Sequence, residues 1–91
     1  MSDHVDIDPD ELDRYIARLS DYIEHSREQM NRMLDACRAL VYAWRDAAYG
    51  DYQDVFLRAM MEVERGVDGL EEEIPQLRRR SEMAHALQEL P

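Results

Sequence analysis

The chain has 91 residues, with 21 acidic and 11 basic side chains and a formal charge of −10. That balance excludes the basic surfaces that nucleic acids and anionic membranes require. A chain of this length makes one small domain and buries a modest share of its surface, so a lone monomer is expected to be marginal.

Three glycines and three prolines are too few for the tight turns of a sheet protein. The 45% of hydrophobic residues sets the chain apart from disordered sequences. Cys37 is the only cysteine, so no internal disulfide is expected. No apolar segment is long enough to span a bilayer, and no ordinary signal peptide is expected.

Residues 1–8 read as an acidic lead-in, and residues 9–90 as one helical hairpin. In IDPDELDRYI, Asp8 fits an N-cap, Pro9 the first helical position, and Glu11 the closing residue of a capping box. The apolar residues that follow repeat every seven positions. Leu12, Leu19, Met33 and Leu40 form one row; Ile16, Ile23, Met30, Cys37 and Trp44 form the other. Alternating steps of four and three are the seam of a helix bundle. The first helix is expected over about residues 9–44 and a turn over about 45–50.

The pattern resumes with Tyr52, Phe56, Val63, Gly66 and Leu70, so a second helix of similar length is expected over about residues 51–88. Gly66 on the seam is expected to permit close helix approach. Pro75 lacks an amide donor and crowds the preceding turn, which predicts a kink or break there and a frayed segment beyond it. The fold class is therefore all-α, an antiparallel two-helix hairpin. Its stripes are wide enough to ask for a second hairpin and a four-helix bundle.

No catalytic constellation, phosphate loop or metal-ligand spacing is present. His4, His25 and His85 are far apart in sequence and read as surface groups; Glu71, Glu72 and Glu73 read as a solvated face. No cofactor is expected, and the chain is not expected to be an enzyme.

Trp44 sits at the midpoint, beside the expected turn WRDAAYG. Together with IDPDEL, Tyr52, Phe56 and the length, it resembles the WXG family, the early-secreted-antigen-like proteins of bacterial type VII secretion. Here the motif reads Trp44-x-Asp46 instead of Trp-x-Gly, and Gly50 is expected to supply the permissive backbone. The resemblance implies pairing with itself or with a sister WXG-like subunit, contact with a secretion ATPase, and synthesis in the bacterial cytoplasm with export that needs no signal peptide. The family's C-terminal Tyr-x-x-x-Asp/Glu signal has its counterpart in His85 and Glu89, with His in place of Tyr. The other reading is a cytosolic helical adaptor or dimerisation module unrelated to secretion.

Overall fold

A computed structural model describes residues 7–91. The first six residues of the acidic lead-in, with His4, lie outside the described residues. The fold is an all-helical hairpin: α1 (Pro9–Ala39), a single 3₁₀ turn (Leu40–Tyr42) and α2 (Ala48–Gln88).

The start of α1 is set locally. The Asp8 carboxylate accepts the Asp10 amide at 3.0 Å, Pro9 occupies the first turn, and Asp10 and Glu11 place negative charge at the positive end of the helix dipole. α1 stops at Ala39 instead of reaching Trp44. Its end tightens into the 3₁₀ turn, and the Trp44 amide bonds back to the Leu40 carbonyl at 2.7 Å.

The two helices are unequal, at 31 and 41 residues. Leu12, Ile16, Leu19 and Ile23 of α1 pack with Val67 and Ile74 of α2, and Met30 and Leu77 lie against this cluster. The first half of α1 thus meets the second half of α2, as an antiparallel hairpin requires. The molecule measures 71 × 25 × 14 Å, and its shortest dimension is close to one helix diameter of about 10–12 Å.

α2 is helical without interruption through Pro75, and no separate frayed segment follows it. The reason is packing on both sides of the proline: Ile74, Ser81 and Ala84 are buried. Burial against α1 outweighs the one helical hydrogen bond that Pro75 cannot make to the Glu71 carbonyl. Gly66 is exposed, and a Cβ built on it meets nothing within 4 Å, so it does not serve the approach of α1 to α2. Pro75→Ala restores an amide donor in a helix that is already continuous. It should stabilise the fold by about 1–3 kcal/mol, read from the urea midpoint; a lower midpoint would contradict the continuous helix.

Candidate interaction surface and the two hairpin ends

At the turn, Asp46 organises the chain. Its carboxylate Oδ1 accepts the Trp44 indole N–H at 2.8 Å and the Ala48 amide at 2.9 Å, and its carbonyl accepts the Tyr49 amide at 3.2 Å. Asp46, the residue before the N-cap Ala47, thus holds the first amide of α2 through its side chain. No described non-glycine or glycine residue has positive φ. The permissive backbone expected at Gly50 is thus not used; Gly50 lies inside the first turn of α2.

Trp44 is half-buried and closes the hairpin end with other aromatics. Its ring meets Tyr49 edge-on at 5.9 Å and Tyr52 at 5.6 Å, and Tyr52 stacks on Phe56 at 6.3 Å. Tyr49 is buried and donates its hydroxyl to the Cys37 carbonyl at 2.8 Å, tying the end of α1 to the start of α2. Burial, first of all, raises the Tyr49 pKa. Tyr49 falls within the segment expected as the turn, about residues 45–50. Its seven-residue spacing to the buried Phe56 was the signal that it belongs to the inner row.

The broad apolar stripe divides into two rows. The inner rows, Leu12, Ile16, Leu19, Ile23, Met30 and Cys37 on α1 and Phe56 with Val67 and Ile74 on α2, face the hairpin interior. Met33 and Leu40 on α1, and Tyr52, Val63, Gly66 and Leu70 on α2, were expected on the seam but are exposed. With Tyr15 and Tyr22, these residues form outer rows turned from the inner ones by roughly 20–80°, at about 100° per residue. The displacement has the same sense on both helices, and the helices are antiparallel, so both outer rows lie on one face. A shallow groove lined by Met30, Met33, Met60 and Val63 joins them.

The opposite face is ionic. The Arg27 guanidinium bridges from α1 to Glu71 at 2.5 and 3.0 Å and to Asp68 at 2.9 Å on α2. These hydrogen bonds, Glu71 foremost, raise the Arg27 pKa, and Arg27 in turn lowers that of Glu71. Glu71 is thus part of a cross-helix pair, not simply a solvated carboxylate.

At the far end, Asp13 accepts hydrogen bonds from the Ser81 hydroxyl and pairs with His85 Nε2 at 2.9 Å. Asp10 Oδ1 lies 3.9 Å from the same nitrogen. His85 is half-buried, not a solvated surface group, and is brought to these carboxylates across 72 residues of sequence. Of the two residues read as an export signal, His85 is engaged in this cluster, and Glu89 caps the exposed end of α2. The spacing of metal ligands along a sequence cannot reveal such a cluster, because its members come from opposite chain ends. One atom each from Asp10, Asp13 and His85 lie within 4.8 Å of one another.

No protein-family model, curated protein or solved structure matches the chain.

Replacing Asp46 by Gly removes the carboxylate that holds both the indole and the first turn of α2. With Gly the cost should be only a few tenths of a kcal/mol, and with Ala about 0.5–2 kcal/mol, each with a loss of Trp44 fluorescence anisotropy; an unchanged denaturation midpoint for Asp46→Ala would mean that the cap carries no weight.

The His85–Asp13 pair makes a pH prediction. The hydrogen bond that His85 donates to Asp13, the largest cause, raises the His85 pKa above 6.5, so its stabilisation is fully present below that value and fades as pH rises through the raised pKa. Hydrogen bonds from Ser81 and then His85 lower the Asp13 pKa below 3.8, so its share is present above that value and fades as pH falls through the lowered pKa. The stability difference between the native chain and His85→Gln should therefore be largest between about pH 4 and 6.5 and shrink as pH rises past 6.5 through the raised His85 pKa. A difference that grows with alkaline pH would contradict the pairing.

Proposed function

We propose that this chain is a small, non-enzymatic pairing protein that uses its apolar face to build a four-helix bundle with a second hairpin, and that it serves a type VII-like secretion system as a substrate or export partner. The observation that carries the pairing is the apolar face itself. Ten hydrophobic side chains are buried among the described residues, whereas sixteen large ones remain exposed, including Tyr15, Tyr22, Met33, Tyr52, Val63 and Leu70. The six named here share the face opposite the Arg27 bridge, and that apolar strip is what a partner would cover. The partner is a second copy or a sister hairpin of the same kind, and a secretion ATPase would act on the assembled pair. The link to secretion rests on the resemblance of the turn and of the first-helix opening to the WXG family.

The second reading, a helical adaptor unconnected with secretion, is favoured by two features. Asp46 builds the turn through its carboxylate, which a glycine has no means to do. His85 is held by Asp13, so the segment that would serve as a signal is engaged within the hairpin. In both readings the chain pairs, so pairing is the first thing to test.

Sedimentation equilibrium at micromolar concentration should give twice the 10.8 kDa mass of the chain, or the mass of a one-to-one complex once a hairpin protein encoded beside it is added. Val63→Glu, at an exposed position of the face, should leave helicity intact and abolish the larger species. A stable, well-folded monomer that pairs with neither would overturn the reading. Genes for a membrane-bound secretion ATPase beside this one would favour export over the adaptor role.

A further inference from the structure

The beginning of α1 and the end of α2 meet at a set of side chains that the pairing function does not use. We propose that Asp10, Asp13 and His85 bind one divalent metal ion of the zinc class, and that the bound ion clamps the two ends of the hairpin together.

The donor set selects the ion. One imidazole nitrogen and two carboxylate oxygens are the nitrogen and oxygen ligands that Zn²⁺ takes, usually three from the protein with solvent completing an open site. Calcium and magnesium prefer shells of oxygen alone.

The geometry is close to that of a bound site. His85 Nε2 lies 2.9 Å from Asp13 Oδ2 and 3.9 Å from Asp10 Oδ1. A tetrahedral ion with bonds of about 2.0–2.2 Å holds its ligand atoms about 3.3–3.5 Å apart. That value falls between the two distances, and the Asp10 and Asp13 oxygens lie within 4.8 Å of each other, so side-chain rotations that draw the two carboxylates inward would complete the site. The ligands sit on two helices, and Asp10 and Asp13 are one turn apart on the same side of α1.

A second shell is in place. The Ser81 hydroxyl donates to Asp13 Oδ1 and leaves Oδ2 turned toward His85, the kind of contact that fixes a ligating carboxylate. Local charge also favours a cation. Asp8, Asp10, Glu11 and Asp13 crowd the first turns of α1, and the nearby Arg14 is taken by Glu11. Among the described residues, no arginine forms a salt bridge with Asp10 or Asp13. Because the three ligands converge only when α2 lies along α1, binding couples to closure of the hairpin.

The test uses the full chain in metal-free buffer. Zinc chloride titrated by calorimetry should bind with one-to-one stoichiometry and raise the thermal midpoint, whereas magnesium chloride should do neither. His85→Gln and Asp10→Asn should each weaken zinc binding by about 10–100-fold or more and abolish the zinc-induced rise, while His25→Gln should keep both. Asp10→Asn leaves the Asp13–His85 and Asp13–Ser81 contacts in place, so its loss of response reports ligation and not loss of the fold. The comparison is of the zinc-induced increment in each variant, so a lower starting midpoint does not confound it. Absence of a zinc response in the native chain, or a full response surviving in either ligand variant, would overturn the assignment.

Discussion

Two helices lying side by side can each bury only the stripe that faces the other. The 14 Å thickness of this molecule states that limit directly. Leu12, Ile16, Leu19 and Ile23 fill the narrow contact with Val67 and Ile74, and the remaining apolar residues have nowhere within the chain to go. The seven-residue pattern is wider than one neighbour can cover. A helix with so broad a stripe keeps apolar surface beyond what one neighbouring helix covers. The exposed aromatic and methionine side chains are thus a consequence of topology as much as of composition.

The polar contacts have a different task. Exposed ion pairs contribute little to stability, and the Arg27 bridge is about half exposed on its acidic side. What it contributes is direction: it fixes one face of the hairpin as ionic and leaves the other apolar. Contacts at the two ends hold the register between the helices. Tyr49 reaches the Cys37 carbonyl beside the turn, and Ser81 and His85 reach Asp13 at the open end. Between these two ends α2 runs continuously, including its passage through Pro75.

Much of this was legible in the sequence because it is local. Asp8, Pro9 and Glu11 announce the start of α1 within four residues, and the repeat of four and three steps announces two helices. The inner row was harder to read. Val63, Gly66 and Leu70 share the period of the inner Val67 and Ile74 and differ from them by less than one helical turn of angle. Only the position of the other helix decides which row is covered. α2 starts at Ala48, ahead of the expected residue 51, because the Asp46 carboxylate holds the Ala48 amide, a contact that residue spacing alone does not decide. Pro75 was read by its local cost, which distant burial of Ile74, Ser81 and Ala84 outweighs. The Asp10–Asp13–His85 cluster was invisible for the same reason: nothing local joins residues from opposite ends of the chain.

The account turns on whether the apolar face is covered in solution. Small-angle X-ray scattering measures this through the cross-section of the particle. A lone hairpin keeps a Cα radius of gyration of 20.5 Å and a shortest dimension of 14 Å. A pair joined face to face keeps nearly the same length, and its shortest dimension grows by about one helix-packing distance of 8–10 Å. The account predicts the thicker particle, with forward scattering that corresponds to two hairpins. A particle with the thin cross-section and the mass of one chain, unchanged on adding a sister hairpin, would contradict it.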